Sequence, residues 1–248
     1  METRLNKYLS EVGYCSRREA DRLIEANKVT INDKLPELGT KVQDGDIVKV
    51  DGKEIVKKDD LVYIALYKPI GITSTTDQTD PTNIVDFMKY NKRVFHIGRL
   101  DKDSEGLILM TNDGDIVNKI LRANNNHEKE YIVQVDLKVT EEFMSDMRNG
   151  VPIGDKVTKK CKIIRINEKT FKIILTEGIN RQIRKMCSHF GYRVEKLKRV
   201  RVMNIKLDVP KGKWRHLKED ELIELKRLVS SSSKTEEASR KFEFDDEQ

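Results

Sequence analysis

The sequence predicts an α+β protein in which a small helical module precedes a larger β-rich region. Two observations indicate this class. Apolar residues recur with helical spacing near the N-terminus. From Leu61 onward, short runs of β-branched and aromatic residues alternate with helical segments. A chain of 248 residues has room for one to two domains, at about 150 residues per domain.

The N-terminal module is predicted to begin with two helices. The first presents apolar residues on one face, at Leu5, Leu9 and Val12. The second begins at Ser16 and Glu19, which have the spacing of a capping box and so satisfy backbone N–H groups at a helix start. Short extended segments follow at residues 29–32 and 46–50. These elements predict a compact unit of helices beside a small hairpin.

The larger region is predicted to be built around strands with helices between them. The strands are expected at residues 61–67, 93–100, 107–110, 130–135, 162–166, 171–175 and 202–207. The helices are expected at residues 116–122, 141–149, 181–190 and 218–229. Thr140 is a candidate N-cap for the second of these helices. We expect a module at 1–56, a linker at 57–61, a second domain at 62–229 and a disordered acidic tail at 230–248.

Charge is unevenly distributed along the chain. The whole sequence carries a net charge of +6. Its last 19 residues hold three basic and six acidic side chains, so residues 1–229 carry +9. This balance favours a polyanionic partner.

Several classes of protein are excluded by pattern. No apolar run approaches the ~20 residues of a membrane helix, and the first residues lack the apolar stretch of a signal peptide. The three cysteines are far apart and give neither a disulfide framework nor zinc spacing. Phosphate-loop and dinucleotide fingerprints are absent. We therefore expect a reduced, cytoplasmic protein without membrane attachment.

The N-terminal module carries candidate phosphate ligands. Three arginines cluster at the start of its second helix, where they oppose the helix dipole, so an external anion is favoured over an ordinary solvated face. Residues 4–52, including RLNKYLSEVGYCSRREADRLIEANKVTIN and GDIVKVDG, resemble the small RNA-binding domain of ribosomal protein S4. The candidate RNA-binding residues are Arg4, Lys7, Arg17, Arg18, Arg22 and Lys28.

The most informative segment is GRLDKDSEGLILMTNDG at residues 98–114. Asp101 follows the end of a predicted apolar strand, where a side chain can face a cleft. Taken alone, Asp101 and Asp103 would be ordinary turn aspartates. The string GRLDxxSxGL followed by TNDG is, however, similar to the signature of the RsuA/RluB/RluE/RluF family of rRNA pseudouridine synthases. Later stretches, including EGINRQIRKMCSHFGYRVEKLKRVRVMNI at 177–205, resemble the F-type, large-subunit (23S) rRNA branch of that family.

This resemblance implies a fold, a reaction and a set of site residues. The fold would be an S4-like domain joined to a mixed, largely antiparallel β-sheet domain with flanking helices. The reaction would detach a uracil base, rotate it and reattach it through carbon five, with no cofactor and no metal. Asp101 would act as nucleophile at the sugar or as base at the neighbouring sugar carbon, and both roles stay open. The other positions that match the family's active site are Tyr131, Arg184, Arg99 and Leu197.

Each of these residues also has an ordinary structural explanation. A strand tyrosine such as Tyr131 often packs across strands, the RQIRK segment around Arg184 could be a solvated helix, and Arg99 could pair with a nearby aspartate. For the matched roles, we expect Arg184 to favour the ionised form of Asp101 by lowering its pKa. We expect Tyr131 to stack on uracil and Arg99 to hold the strand from which the base is flipped.

A basic stretch follows the proposed active-site arginine. Between Arg181 and Arg201, eight basic residues interleave with apolar ones and only Glu195 is acidic. We expect this run to form a groove that tracks RNA phosphates. Its candidate RNA-binding residues are Arg181, Lys185, Lys198, Arg199 and Arg201.

The expected partner is RNA, most simply 23S rRNA or a large-subunit assembly intermediate, bound by a monomer. A tRNA or 16S rRNA substrate stays open, as does a non-catalytic role in ribosome assembly. A glycoside hydrolase is a further alternative, since two carboxylates ~5–10 Å apart are its usual requirement. The basic surface suits RNA better than a neutral glycan.

Overall fold

The computed structural model describes residues 2–56, 61–121 and 126–230. The chain divides into two compact units after Leu61, except that residues 112–114 group with the first unit. The linker expected at 57–61 lies outside the described residues apart from Leu61. The tail expected at 230–248 lies outside them apart from Ser230. No helix within these three described ranges is long and apolar enough to span a membrane.

The described residues of the first unit form two short helices and five short strands. In chain order they are β1 (Thr3–Arg4), α1 (Leu5–Glu11), α2 (Arg17–Glu25), β2 (Val29–Ile31), β3 (Lys41–Val42), β4 (Val48–Val50) and β5 (Lys53–Glu54). Strand β1 pairs with β3, and β2, β4 and β5 form a second antiparallel sheet. The Ser16 hydroxyl accepts a hydrogen bond from the Glu19 N–H at 3.1 Å, which confirms the predicted start of α2.

The core of this unit is formed by the apolar faces of both helices and the strands beneath them. Leu5, Leu9, Ala20, Ile24, Val29, Val42, Val48 and Val50 are all buried there. The apolar residues of the two helices therefore recur with helical spacing because they pack into this core. The arginines of α2 lie on its opposite, solvent-exposed face.

The second unit is organised around one large sheet. Its elements begin with β6 (Tyr63–Lys68), α3 (Ile84–Met88), β7 (Phe95–Ile97), β8 (Glu105–Thr111), α4 (Gly114–Leu121) and β9 (Lys129–Val135). They continue with α5 (Glu141–Arg148), β10 (Pro152–Ile153), β11 (Lys156–Val157), β12 (Lys162–Asn167), β13 (Thr170–Leu175) and α6 (Gln182–His189). The last are β14 (Val194–Val202), β15 (Ile205–Lys206), β16 (Trp214–His216) and α7 (Glu219–Leu228).

The sheet order is β12-β13-β9-β14-β8-β6-β16, with β15 added to β14 and β7 added to β8. Every pairing in it is antiparallel except that of β14 with β8. This confirms the α+β class and the mixed, largely antiparallel sheet that the resemblance implied. Thr140 caps α5 as predicted, because its hydroxyl accepts the Phe143 N–H at 3.0 Å.

One predicted strand is wrong in position. The sequence predicted a strand at 202–207, whereas the structure has the nine-residue strand β14 ending at Val202 and only two strand residues, Ile205–Lys206, beyond it. The register of β14 against β9 shifts between Val194 and Lys196 and again between Arg199 and Arg201. These irregularities break the two-residue alternation by which strands are recognised.

Candidate active site

The loop that carries Asp101 is held in place by backbone hydrogen bonds and one buried serine. The Ser74 hydroxyl donates to the Leu100 carbonyl at 2.8 Å and accepts the Leu100 N–H at 3.1 Å. The Ser104 N–H donates to the Asp101 carbonyl at 3.0 Å and closes the turn. The Asp101 side chain stays 28% exposed, so the loop presents a fixed carboxylate to solvent.

Gly106 is required by the close approach of two central strands. It pairs with Arg199 in the parallel β8–β14 contact, with φ at +118°. A Cβ at this position would overlap the backbone carbonyl of Arg199 and lie 2.6 Å from its nitrogen. Only glycine accommodates this contact, which brings β14 against the start of β8 and next to the Asp101 loop.

Arg181 is the cation that pairs with Asp101. It precedes α6 in a left-handed conformation, with φ at 53°. Its guanidinium forms two hydrogen bonds with the Asp103 carboxylate, at 3.2 and 3.0 Å, and lies 3.6 Å from a carboxylate oxygen of Asp101. Partial burial of Asp103 opposes ionisation, but the hydrogen bond from Arg181 and the charges of Arg184 and Arg181 hold its pKa below the usual value.

The sequence predicts Arg184 beside Asp101, whereas the structure places it against Asp103 and Ser104 in the same loop. Its Nη2 donates to the Asp103 carbonyl at 3.0 Å and to the Ser104 hydroxyl at 3.1 Å. Its Nη1 donates to the Val194 carbonyl at 3.2 Å. Arg184 therefore ties the Asp101 loop to β14. The direct contact predicted for Arg184 is made instead by Arg181, a residue that the sequence predicts to bind RNA phosphates.

The start of α6 is organised by a buried glutamine. The Gln182 amide donates to Glu177 at 2.7 Å, and its oxygen accepts the Ile179 N–H at 3.1 Å. These bonds hold the turn that leads into Arg181 and place it opposite the Asp101 loop.

A cavity of about 390 Å³ opens beside this loop. Among the predicted site residues, its lining includes Asp101, Arg99, Tyr131, Leu197, Arg181 and Arg199. Tyr131 is partly buried and packs against the core cluster that contains Leu197. Arg184 does not line the cavity. Arg99 is exposed, whereas Leu197 and Arg199 are buried, so the inner wall combines an apolar side chain with a cation.

Lys129 also lines this cavity, and sequence reasoning did not single it out. It begins β9, and its amine donates to the His127 carbonyl at 3.2 Å. Burial, together with the charge of Arg199, lowers the pKa of Lys129 to about 8. Its position two residues before Tyr131 on one strand places both side chains on the same face, which is the signal that could have identified it.

The basic run at 181–201 does not form one surface groove. Its second half is β14, which lies between β9 and β8 in the sheet. Arg199 is buried and donates to the Leu107 carbonyl at 2.7 Å. This takes Arg199 out of the set expected to contact phosphates on the surface. Arg201 is bound to Glu128 and Glu130 at 2.8 and 3.1 Å, so its charge is compensated within the protein.

The remaining candidate RNA-binding residues are more accessible. Lys185 is exposed on α6, and Lys198 lies over the ring of Tyr67 at 5.0 Å. In the first unit, the exposed basic residues are Arg4, Arg17, Arg18, Arg22 and Lys28. Lys7 is partly buried and pairs with Glu11 at 3.2 Å. Helix α2 therefore presents exposed cations at both ends, with Arg17 and Arg18 in its first turn and Arg22 in its last turn, whereas the sequence predicted all three at its start.

Comparison with known proteins matches both units. A model of the RNA pseudouridylate synthase family matches residues 62–189, and a model of the S4 domain matches residues 3–48. The dual-specificity RNA pseudouridine synthase RluF of Escherichia coli (strain K12) is 58% identical over 233 residues, covering 93% of this chain and 80% of the relative.

A less similar relative and a solved structure are also pseudouridine synthases. The ribosomal large subunit pseudouridine synthase B of Bacillus subtilis (strain 168) is 36% identical over 205 residues, covering 79% of this chain and 84% of the relative. A crystal structure of a pseudouridylate synthase superposes with a TM-score of 0.67 at 26% identity, covering 90% of this chain and 99% of that one.

Proposed function

This chain belongs to the RNA pseudouridylate synthase family, and we propose that Asp101 is the carboxylate through which it isomerises a uridine of large-subunit ribosomal RNA. The observation that supports this assignment is the position of Asp101, on a fixed turn at the wall of a 390 Å³ cavity that Tyr131 also lines. A cavity of this size accommodates one base.

Asp101 has two possible roles at the sugar. As a nucleophile it forms a bond to C1′ while the bond from C1′ to the base breaks. As a base it removes the C2′ proton as the same bond breaks. Both roles use an ionised carboxylate. The guanidinium of Arg181, 3.6 Å away, supplies the positive charge beside it.

Tyr131 is proposed to hold the base after detachment. Its ring can stack on uracil, an interaction worth about 1–3 kcal/mol per base in single-strand binders. Its hydroxyl could receive the proton that carbon five loses when the new bond has formed. Leu197, buried in the same wall, provides an apolar surface that excludes water from the base.

Two arginines are proposed to act around the reacting nucleotide. Arg99 is exposed at the cavity wall, where it can fill the space left by the flipped nucleotide or hold the strand, because extracting a base costs a few kcal/mol. Arg184 is proposed as a positioning residue, since its bonds to Asp103 and Ser104 fix the turn that carries Asp101.

Residues 1–56 are proposed as the RNA-binding domain and 62–229 as the catalytic domain, joined by 57–61. The exposed cations Arg4, Arg17, Arg18, Arg22 and Lys28, with Lys7, are proposed to bind phosphates in the first domain. Lys185 and Lys198 are proposed to do so in the second, with Arg181 near the reacting nucleotide. The substrate is proposed to be 23S rRNA or a large-subunit assembly intermediate, modified in the cytoplasm by a monomer.

The name of one relative is the basis for an alternative substrate. RluF of Escherichia coli is named a dual-specificity enzyme, so a tRNA or 16S rRNA uridine is the alternative target of the same chemistry. A glycoside hydrolase is disfavoured, because Asp103 pairs with Arg181 and Arg184 and does not line the cavity with Asp101, as a second catalytic carboxylate would.

Mapping pseudouridines in total RNA tests the assignment. RNA from cells with and without this protein is compared, and the deleted cells are complemented with wild type or with Asp101→Ala. We expect a site in large-subunit rRNA to be lost on deletion and restored by wild type alone. A site lost from tRNA instead would change the substrate. Restoration by Asp101→Ala would contradict the role of Asp101, and no lost site would favour a non-catalytic assembly factor.

A further inference from the structure

Two cations line the cavity without an ion-pair partner among the described residues: Lys129 is partly buried and Arg199 is buried. Lys129 forms one hydrogen bond, to the His127 carbonyl. Arg199 is 3% exposed, and its Nε and Nη1 donate to the carbonyls of Leu107 and Arg99. Its Nη2 is buried and has no hydrogen-bond partner among residues 2–56, 61–121 and 126–230. Neither side chain forms an ion pair within those ranges.

This arrangement is unfavourable in the protein alone. A buried donor without a hydrogen-bond partner is destabilising, and two neighbouring positive charges repel each other. That repulsion is visible in Lys129, whose pKa is lowered by burial and by the charge of Arg199. A ligand with partial or full negative charge would relieve both costs. The pair is therefore arranged for an anion or a carbonyl oxygen that enters the cavity.

The part of an RNA substrate that reaches this pair is the base. A phosphate would have to lose much of its hydration to reach Lys129 and Arg199, and exposed cations are available to it on the outside of the cavity, at Arg99 and Arg181. Uracil presents carbonyl oxygens and enters the cavity when the nucleotide flips. Tyr131 lies on the same face of β9 as Lys129 and pairs in register with Arg199, so all three residues line one wall.

We propose that Lys129 and Arg199 form a cationic subsite that binds a carbonyl oxygen of the uracil and stabilises the negative charge the base acquires on detachment. This inference rests on the proposed function. When the C1′–N1 bond breaks, its electron pair leaves with the base, whether Asp101 bonds to C1′ or removes the C2′ proton. The charge spreads from N1 onto the carbonyl oxygens, where N–H donors in a water-poor site stabilise it.

The rest of the reaction balances without a further reactant. Carbon five of the rotated base bonds to C1′, and Asp101 is released as a carboxylate or returns its proton to C2′. The proton of carbon five is then lost and N1 gains one, so the product is an isomer. The cationic subsite favours the separated base over the intact nucleotide, which is how it would raise the rate rather than the affinity for RNA.

Replacement of Lys129 by Met tests the subsite. Met is unbranched, similar in size to Lys and uncharged, and removal of a partly buried charge without an ion-pair partner should leave folding intact. Lys206→Met, an exposed position on β15 of the same sheet, is the matched control. Each variant is assayed on large-subunit rRNA from cells lacking the protein, by single-turnover pseudouridine formation and by RNA affinity.

We expect Lys129→Met to lower the single-turnover rate by about 100-fold, as loss of one electrostatic donor does in other enzymes. The RNA dissociation constant should change by less than about 3-fold, because the interaction is made mainly in the transition state. Lys206→Met should match wild type in both. A rate for Lys129→Met equal to that of the control would overturn the inference.

The pH profile separates a charge effect from packing. The groups around Lys129 are Arg199 on β14, His127 before β9, and the other titratable groups of the cavity, Asp101, Glu177, Arg181, Arg99 and Tyr131. Loss of the Lys129 proton near pH 8 should lower the wild-type rate above that pH. Lys129→Arg keeps the charge, so its rate should stay high to more alkaline pH.

Lys68 is an alternative cause of a decline in rate above pH 8. Its pKa is also lowered to about 8, and the charge of Asp101 acts on it. If Lys68 causes the alkaline decline, Lys129→Arg will retain that decline at the wild-type pH, and the assignment to Lys129 is overturned. An inactive wild type on total RNA would overturn the proposed function together with this inference. An active wild type with an equally active Lys129→Met would overturn this inference alone.

Discussion

The guanidinium of Arg181 lies 3.6 Å from the carboxylate of Asp101, at the point where α6 begins. The same guanidinium holds Asp103 through two hydrogen bonds. Arg181 therefore supplies the charge beside Asp101 and also fixes the turn that carries it. The geometry of the carboxylate depends on a residue 80 positions away in the chain.

Loss of Arg181 should impair chemistry. Arg181→Ala removes the cation beside Asp101 and releases Asp103, so we expect the single-turnover rate to fall by about 10- to 100-fold. Arg193→Ala removes a charge from the same basic stretch, at an exposed position, and should change the rate little. Equal rates for the two variants would show that Arg181 acts only as one of many RNA-binding charges.

Gly106→Ala should destabilise the second unit. The added Cβ would overlap the Arg199 backbone, and φ at +118° is unfavourable for alanine. We expect a loss of at least about 2 kcal/mol in the free energy of unfolding. Gly114→Ala meets nothing within 4 Å at the start of α4 and should be neutral or stabilising. Thermal or denaturant unfolding of the two variants checks this, and equal stability would contradict the close strand contact.

The buried amine of Lys68 should make stability depend on pH. Its folded-state pKa of about 8 lies below the usual 10.5, so between these values the unfolded chain binds the proton more tightly. Raising the pH through this window therefore stabilises wild type relative to Lys68→Met, by up to roughly 3 kcal/mol. Below pH 8 the difference should be constant. Denaturant unfolding at pH 7, 8, 9 and 10 measures it, and a difference that does not change with pH would contradict the shift.

The arginines of α2 should contribute to RNA affinity and its salt dependence. Simultaneous replacement of Arg17, Arg18 and Arg22 by Ala should weaken binding and reduce the slope of log K against log salt by about 2. The charge-matched control replaces Lys34, Lys41 and Lys53, which are exposed elsewhere in the same unit. If both triple variants lose the same affinity, the binding follows net charge and not the α2 cluster.

Local signals in the sequence predicted much of the fold. The caps at Ser16 and Thr140 depend on residues three positions apart, and both hydrogen bonds are present. Strand β14 was missed because its buried residues do not alternate regularly, since two register shifts interrupt it. Its basic side chains, one of them buried, also resemble a solvated surface in a linear sequence.

The candidate site was predictable only where a motif marks it. Asp101, Tyr131 and Leu197 were identified from the resemblance, and all three line one cavity. The sequence could not show that Arg181 contacts Asp101 and that Arg184 does not. The two arginines lie within one helical turn, and their different contacts depend on the αL conformation of Arg181 before α6. Lys129 carries no motif beyond its spacing from Tyr131. Its lowered pKa depends on its burial in the fold and on the charge of Arg199. Arg199 is 70 positions away in the sequence, so the sequence does not show that the two side chains are close.

Pseudouridine formation by Asp101→Asn is the most direct test of the central claim. Asn keeps the size of the side chain and removes its charge. With an RNA substrate that wild type modifies, we expect no pseudouridine from Asp101→Asn in single-turnover assays, while RNA affinity stays within about 3-fold of wild type. Asp103→Asn, on the same turn, should retain activity above that of Asp101→Asn. Wild-type turnover by Asp101→Asn would contradict the assignment of Asp101 as the catalytic carboxylate.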